Sequence, residues 1–237
     1  MSLEKTINVY ITQSSSDALS EDLGQYVSED RMLRSLSGNS YDLSGISTEI
    51  LLAYALKSEG YYFYPPNYSR TSSGKPISSE YFLSLSHSGG YCCCCLSDSS
   101  VGVDIQIERK LISGLERKLL SKRELNKFSM CSDKNSFLMS HWTAKESCLK
   151  LTGKGIAYGM NKLCVELDNK KVIDTLTNEE YYLECIEMGR SNCDFFVNSD
   201  KLFLSVCTKN AELIDKIELY YETFSSIRCA LTGLWSD

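Results

Sequence analysis

The sequence predicts an α+β protein made of two lobes with a pseudo-symmetric outline, each a small, mostly antiparallel sheet packed with helices. Helical and strand-like patterns occur in blocks, helices first and strands after, in each half of the chain. Alternating βαβ units would interleave them instead. The 237 residues suffice for one sizeable core or two smaller ones. We expect an N-terminal lobe over 1–100 and a C-terminal lobe over 101–237, with no sequence repeat between them.

The first half contains three predicted strands in close succession, separated by the turn signals Ser88-Gly89-Gly90 and Asp98-Ser99-Ser100. All three prolines fall within 65–79, which predicts a loop. The predicted elements are a strand over 7–12, helices over 17–36 and 47–58, a strand-like aromatic run over 61–64, and strands over 81–86, 90–97 and 101–107.

The second half begins with helical periodicity, and Gly153-Lys154-Gly155 ends its longest helix. Beyond residue 161 the pattern is mostly strand-like, and the C-terminal segment is ambiguous. The predicted elements are helices over 113–120, 122–130 and 134–151, followed by strands over 163–167, 181–186, 194–197 and 202–208.

Composition and charge exclude several classes of protein. The 43% hydrophobic and 24% charged residues are ordinary for a soluble globular protein. A net charge of -6 argues against general nucleic-acid binding, which leaves a basic footprint. No apolar run reaches the roughly 18 residues of a membrane-spanning helix, and the N-terminus lacks the apolar core of a secretory signal. We therefore expect a cytoplasmic protein with no membrane partner.

Four of the eleven cysteines are consecutive, Cys92 to Cys95. Neighbouring residues of a strand point to opposite faces, so this run cannot form one compact disulfide framework. Zinc-finger spacing is also missing. We interpret the cysteines as small buried hydrophobic residues in a reducing compartment, with a metal or redox role as the alternative.

Two carboxylates in separate segments are candidates for a cation site. In the predicted strand Asp104 and Gln106 share a face, about 6.5–7 Å apart, so both could approach one ion. In the predicted helix Trp142, Glu146 and Lys150 form one stripe, with Lys145 beside it. If the fold brings Asp104 and Glu146 together, they provide hard oxygen ligands with lysines nearby, which suits a pyrophosphate. Each segment alone is better explained without a cation: the first as an edge strand with one solvated polar face, the second as a helix with a surface ion pair.

A third segment includes Gly74-Lys75-Pro76 and Ser86-His87-Ser88. Ser, His and Lys beside a turn can hold a phosphate. A histidine at a strand end is also a common structural residue, so this segment alone decides nothing.

In order and spacing the segments resemble the 4'-phosphopantetheinyl transferase superfamily, of the two-lobed surfactin-synthetase-activating type. The matching motifs are Gly74-Lys75-Pro76, Leu85-Ser86-His87-Ser88, Gly102-Val103-Asp104-Ile105, the Trp-x-x-Lys-Glu-Ser-x-x-Lys pattern of 142–150, and Gly153-Lys154-Gly155. The ordered match covers roughly 28–165. Each motif is weak alone, whereas three in register are a specific signal.

The resemblance implies a Mg²⁺-dependent holo-[acyl-carrier-protein] synthase. Such an enzyme moves the phosphopantetheine arm of coenzyme A to a serine of an apo acyl or peptidyl carrier protein and releases adenosine 3',5'-bisphosphate. The implied fold is a pseudo-dimeric monomer with coenzyme A between its lobes. The implied roles are Asp104, Glu146 and, more weakly, Gln106 for Mg²⁺; Glu146 and Lys150 for catalysis; and Lys150, Lys75, Ser86, His87, Arg31 and Arg34 for coenzyme A.

Two departures leave alternatives open. Gln106 stands where the family often has Glu, and an amide oxygen binds Mg²⁺ more weakly than a carboxylate. No arginine matches a further family position near Ser44. The alternatives are a weak or inactive homologue that binds coenzyme A or a carrier protein, and an unrelated Mg²⁺-dependent phosphohydrolase.

Overall fold

A computed structural model describes residues 6–35, 42–110, 114–189 and 201–233. In chain order its strands and α-helices are β1 (Ile7–Gln13), α1 (Glu29–Ser35), α2 (Leu43–Ser58), β2 (Ser69–Arg70), β3 (Pro76–Ile77), β4 (Phe82–Ser88), β5 (Tyr91–Ser97), β6 (Val101–Ile107), α3 (Leu115–Leu119), α4 (Lys122–Met130), α5 (Lys134–Thr152), β7 (Leu163–Glu166), β8 (Lys171–Asp174), β9 (Glu180–Met188), β10 (Leu202–Thr208), β11 (Ile217–Tyr221) and α6 (Phe224–Thr232). Short 3-10 helices occupy several connections.

The strands form two main sheets and one small hairpin, which confirms the α+β class. The first sheet has the order β11-β1-β5-β4, and the second has the order β6-β10-β9-β8-β7. All pairs are antiparallel except β1 with β11, which are parallel. β2 and β3 pair with each other inside the predicted loop of 65–79.

The sheets lie between two long helices in four layers, with three hydrophobic cores between them. One core joins α2 to the first sheet, including Ile50 and Leu83. A second joins the two sheets, including Val9 and Val103. A third joins the second sheet to α5, including Leu149. Each sheet thus carries one long helix on its outer face, as the pseudo-symmetric outline predicted.

The cysteine run lies in the interior of strand β5. Cys92 and Cys94 face the core beneath α2, whereas Cys93 and Cys95 face the core between the sheets. Burial raises the pKa of the Cys92 thiol to about 12 and raises those of the other three as well. All four thiols are free. The prediction of small buried hydrophobic residues is confirmed for this run, whose high thiol pKa values make the four cysteines poor nucleophiles. Cys131, Cys185 and Cys229 are only partly buried.

The helix predicted over 17–36 is wrong as one continuous element. Its described part consists of two 3-10 helices followed by α1. The backbone is extended at Ser20 and at Val27, with ψ values of 146° and 129°. Ser28 donates its N–H and its hydroxyl to the buried carboxylate of Glu49 on α2, at 3.0 and 2.9 Å. This tertiary bond replaces helix continuation. Residue 36 lies outside the described residues.

The strand predicted over 61–64 is also wrong, because the chain there is irregular. Its aromatic residues pack against the core between α2 and the first sheet. Tyr61 contacts the Tyr81 ring and Tyr64 contacts the Tyr26 ring. The strand predicted over 194–197 lies outside the described residues. The other predicted strands and helices are present: β6, α4 and β10 have the predicted bounds, and the rest have shifted ends. Strands β2, β3, β8 and β11 and helix α6 were not predicted.

The C-terminal segment returns to the first sheet. β11 pairs with β1, and Arg228 of α6 forms two hydrogen bonds to Asp22 at 2.9 and 3.2 Å. The lobe boundary near residue 100 stays a prediction. Among the described helices, none combines the length and apolar character that crossing a bilayer requires.

Candidate active site

The two sheets meet along the edge strands β4 and β6, which side chains link. Alternate residues of β4 are serines, and their hydroxyls accept backbone N–H groups of β6. The three bonds are Val103 N to Ser84 Oγ (2.9 Å), Ile105 N to Ser86 Oγ (3.2 Å) and Ile107 N to Ser88 Oγ (3.3 Å). We call this set the serine seam. It fixes the position of β6, which carries Asp104, relative to the first sheet.

Helix α5 packs directly against the backbone of β6 at Gly102. A Cβ atom added at this glycine would lie 2.0 Å from the carbonyl oxygen of Ser147 and 2.5 Å from the nitrogen of Leu151. No larger residue fits without moving the helix. The close approach places Glu146 and Lys150 of α5 beside Asp104, two residues beyond Gly102 on the strand.

Asp104, Ser86 and Lys150 form one hydrogen-bonded cluster. The Lys150 ammonium lies 2.7 Å from Asp104 Oδ1 and 2.9 Å from Ser86 Oγ. The Ser86 hydroxyl donates to the same Asp104 oxygen at 2.8 Å. The Asp104 side chain is 1% exposed and the Lys150 side chain is 29% exposed. The Lys150 ammonium therefore neutralises the buried carboxylate from the side that faces the solvent.

Glu146 lies one helical turn before Lys150 and faces the same space. None of the described residues donates a hydrogen bond to its carboxylate. Burial, and next the negative charge of Asp104, raise the pKa of Glu146 to about 7, although Lys150 opposes the shift. This carboxyl group can hold or release a proton near neutral pH, and it is free to accept a ligand.

Two adjoining cavities form a cleft over this cluster, of about 360 and 300 Å³. Both are lined by Arg70, Leu85, Glu146 and Lys150. The larger cavity adds Lys75 and Ile156, and the smaller adds Arg31, Ser86, His87, Asp104 and Gln106. The cleft thus has cationic walls and carboxylates at its base.

Arginines of the first half supply much of that cationic wall. Arg31 is buried, with Nη1 at 3.4 Å from Asp42 Oδ2. Arg70 donates to the Gly74 carbonyl at 2.8 Å and to the Tyr68 hydroxyl at 3.3 Å. The Nε atoms of both arginines are buried without a hydrogen-bond partner. Buried guanidinium donors without a partner suit an anion in the cleft.

Arg70 is a site residue that the sequence analysis missed. It lies four residues before Gly74, and the hairpin of β2 and β3 folds it into the cleft. The available signal was a cation just before Gly74-Lys75-Pro76, in a stretch interpreted only as a loop.

Lys75 and His87 line opposite ends of the cleft. Lys75 Nζ lies 2.5 Å from the carbonyl oxygen of Leu151, and burial lowers its pKa. Burial also lowers the pKa of His87, with Asp42 opposing and Arg31 assisting the shift. His87 is therefore mainly neutral at pH 7 and able to donate one ring N–H.

Gln106 and Arg34 occupy less direct positions. Gln106 Oε1 accepts from the Ser88 hydroxyl at 2.9 Å, and its Nε2 donates to Asp104 Oδ2 at 3.5 Å. Arg34 forms an ion pair with Asp30 at 2.6 Å and has a 40% exposed side chain. It is not among the residues that line the two cavities.

Lys145 does not lie beside the cleft stripe as predicted. It is fully buried on the opposite side of α5, 2.6 Å from Glu124 Oε2 and 2.7 Å from the Leu119 carbonyl. A step of one residue turns the helix by about 100°, which carries Lys145 into the core. Only Lys150 of the two lysines faces the cleft.

The donor set at the base of the cleft suits a hard divalent cation. Asp104 and Glu146 offer oxygen ligands. Burial and, next, the negative charge of Asp104 raise the pKa of Glu146, and a cation would offset both effects. Within the described ranges no three His, Cys, Asp or Glu side chains are grouped as a metal site. Two carboxylates leave most coordination positions to water or substrate oxygens.

Parts of this chain are similar to known proteins. The sequence model of the 4'-phosphopantetheinyl transferase superfamily matches residues 100–214. The 4'-phosphopantetheinyl transferase psf-1 of Bacillus pumilus is 25% identical over 151 residues, which span 62% of this chain and 62% of that protein. The crystal structure of Thermotoga maritima holo-[acyl-carrier-protein] synthase superposes with a TM-score of 0.34 and 15% identity, over 47% of this chain and 64% of that one.

The similarity to the 4'-phosphopantetheinyl transferase superfamily thus covers residues 100–214, slightly less than half of the chain. The matched region contains β6 and α5, which carry Asp104, Glu146 and Lys150. The cationic residues of the first half, including Arg31, Arg70 and Lys75, lie outside the residues matched by the superfamily model.

Proposed function

We propose that this protein transfers the 4'-phosphopantetheine group of coenzyme A to a serine hydroxyl of an apo acyl or peptidyl carrier protein, releasing adenosine 3',5'-bisphosphate. The observation that carries the proposal is the cluster of Asp104, Glu146 and Lys150 at the base of a cleft with cationic walls. Coenzyme A has a pyrophosphate and a 3'-phosphate. Its binding site must therefore neutralise negative charge both at the bottom of the cleft and along its walls.

We assign the metal site to Asp104 and Glu146, with Mg²⁺ as the ion. When bound, Mg²⁺ would neutralise charge on the pyrophosphate oxygens and favour attack at phosphorus. The protein's part is to hold two carboxylates in one cavity, with the Asp104 oxygen Oδ1 already fixed by Ser86 and Lys150.

Glu146 is the candidate general base. No described residue donates a hydrogen bond to its carboxylate, whose pKa without a bound cation is about 7. A bound Mg²⁺ would lower that pKa and make Glu146 a weaker base, which favours a route through a water. The serine proton passes to Glu146 directly or through a water. Lys150 supplies a positive charge where the leaving phosphate gains negative charge.

The phosphates of coenzyme A are held by the cations of the first half. Lys75, His87 and Arg31, for which the family resemblance implies contact with coenzyme A, line the cleft, and we add Arg70, which lines both cavities. Arg34 lies on the exposed face of α1 and contributes only to the positive electrostatic potential around the cleft. These groups lie on the first half of the chain, opposite the carboxylates of β6 and α5.

We further propose the surfactin-synthetase-activating type, acting as a monomer in the cytoplasm. Two sheets, each with a long outer helix, support a complete cleft within one chain. The free thiols of the described cysteines suit a reducing compartment.

The test is labelling of a panel of purified apo carrier proteins by a fluorescent coenzyme A, with Mg²⁺ and with EDTA. Fatty-acid, polyketide and peptide-synthetase carriers are included. We expect Mg²⁺-dependent label on at least one carrier, and none on a carrier whose acceptor serine is alanine.

Two other outcomes would contradict the proposal. Coenzyme A binding without label on any carrier would support a non-catalytic homologue. Release of inorganic phosphate from simple phosphate esters, again without carrier labelling, would support a phosphohydrolase.

A further inference from the structure

The serine seam has an arrangement that repeats along the strand. Ser86 accepts the N–H of Ile105 at 3.2 Å and donates its own proton to the side chain of the preceding residue, Asp104, at 2.8 Å. Ser88 accepts the N–H of Ile107 at 3.3 Å and donates to the side chain of Gln106 at 2.9 Å. Each hydroxyl therefore binds the β6 backbone and orients the side chain beside it.

Ser86 has no hydrogen-bonding capacity left for a ligand. A serine hydroxyl has one proton to donate and two lone pairs to accept with. The proton goes to Asp104, and the lone pairs accept the Ile105 N–H and the Lys150 ammonium at 2.9 Å. The residue is 7% exposed. The hydroxyl thus joins the first sheet, the second sheet and α5 at one atom.

Ser88 and Asp104 together set the orientation of the Gln106 amide. The carbonyl oxygen Oε1 accepts from Ser88 at 2.9 Å, and the NH₂ group is directed to Asp104 Oδ2, at 3.5 Å. A reversed amide could still bond to the hydroxyl of Ser88, but it would place an oxygen beside the carboxylate. Gln106 is therefore a hydrogen-bond donor to Asp104 in the position where related sequences often have a carboxylate.

We propose that Ser86 and Ser88 are positioning residues for the metal site: Ser86 fixes Asp104 and Lys150, and Ser88 holds Gln106 as a donor to Asp104 instead of a metal ligand. The inference rests on the proposed function for the identity of Mg²⁺ and coenzyme A. It differs from the role that the family resemblance implies for Ser86, which is contact with coenzyme A.

Ser84 provides a matched control within the seam. It accepts the N–H of Val103 at 2.9 Å, but the preceding residue of β6 is Gly102, which has no side chain to orient. S84A therefore removes a backbone acceptor alone, whereas S86A and S88A also release a side chain.

The first experiment compares S86A, S86T and S84A with the wild type by amide hydrogen exchange, by calorimetric coenzyme A binding in EDTA, and by Mn²⁺ binding followed by electron paramagnetic resonance. For S86A we expect faster exchange at Ile105, a coenzyme A Kd within about twofold of the wild type, and Mn²⁺ binding weakened at least about tenfold. S86T should restore Mn²⁺ binding. S84A should change amide exchange at Val103 and leave Mn²⁺ binding unchanged.

The Ser86 assignment is overturned if S86A weakens coenzyme A binding in EDTA about tenfold while Mn²⁺ binding is unchanged. That result would make the hydroxyl a coenzyme A ligand. If S86A does not fold, S86C replaces it: a thiol is a weaker hydrogen-bond donor and acceptor than a hydroxyl, so its coenzyme A and Mn²⁺ affinities carry the same distinction.

The second experiment measures Mn²⁺ binding by Q106M, which keeps the side-chain length and lacks both amide groups. We expect a Kd within about threefold of the wild type, because a donor to Asp104 is not a ligand. Weakening of about tenfold or more would show that the amide oxygen binds the metal. If the wild type binds no coenzyme A, the proposed function fails, whereas exchange at Ile105 and Ile107 together with Mn²⁺ binding still tests the positioning roles.

Discussion

Helix α5 carries two lysine–carboxylate pairs of nearly equal length in opposite environments. On the core side, Lys145 lies 2.6 Å from Glu124, and both side chains are fully buried. On the cleft side, Lys150 lies 2.7 Å from Asp104, with Lys150 29% exposed. The difference lies in what surrounds each pair.

The core pair is saturated with internal partners. Glu124 also accepts the backbone N–H groups of Ser121 and Val165, at 2.6 and 2.7 Å, and Lys145 donates to the Leu119 carbonyl. The pair thereby ties α5 to the start of α4 and to β7. The cleft pair adjoins Glu146, a carboxylate without such partners. A pair with all its bonds satisfied serves the fold, whereas a pair beside uncommitted groups can serve a ligand.

The largest expected effect on stability belongs to the core pair. Lys145→Met leaves the Glu124 carboxylate buried and uncompensated, so the free energy of unfolding should fall by about 3–5 kcal/mol. Urea unfolding followed by circular dichroism measures the change. A loss below about 1 kcal/mol would contradict a structural role for this pair.

Lys150→Met should instead affect transfer. We expect the rate of carrier modification to fall about 100-fold, because charge on the leaving phosphate loses its nearest ammonium. The loss of stability should be smaller than for Lys145→Met, since Asp104 keeps its bond from Ser86 and lies beside the cleft. Equal destabilisation by the two variants, with transfer retained in Lys150→Met, would abolish the contrast between the two sides.

Glu146 gives a smaller effect that depends on pH. Its pKa is raised from 4.5 to about 7, so between these pH values the folded protein holds a proton that the unfolded chain has released. The free energy of unfolding therefore falls as the pH rises through this window, on the order of 2 kcal/mol for this partly exposed group. Glu146→Gln removes that loss.

The check is urea unfolding of the wild type and Glu146→Gln at pH 5 and pH 8 in EDTA. The free energy of unfolding of the variant minus that of the wild type should be larger at pH 8 than at pH 5. A difference in stability that does not change with pH would show that Glu146 ionises as in the unfolded chain.

Much of the site could be predicted because it depends on short-range spacing. The four-residue step from Glu146 to Lys150 and the turn signals around β4, β5 and β6 are local. The burial of Lys145 could not be predicted, because its partner is Glu124, on another helix. Arg70 was missed since only the pairing of β2 with β3 brings it to the cleft.

The errors in the fold have the same origin. The helix predicted over 17–36 breaks where Ser28 bonds to Glu49, which lies 21 residues further along the chain. Strand β11 pairs with β1 from the other end of the sequence, and its pattern alone gave no indication of that partner. Contacts between distant residues determined these elements.

The central claim is that the site on the cleft side of α5 catalyses phosphopantetheine transfer and that Glu146 is essential for it. Intact-mass spectrometry of an apo carrier protein, incubated with coenzyme A and Mg²⁺ and either the wild type or folded Glu146→Ala, tests it most directly. We predict that the wild type adds one phosphopantetheine arm to the carrier and that Glu146→Ala adds none over the same time. Modification by Glu146→Ala at a rate near that of the wild type would contradict the claim.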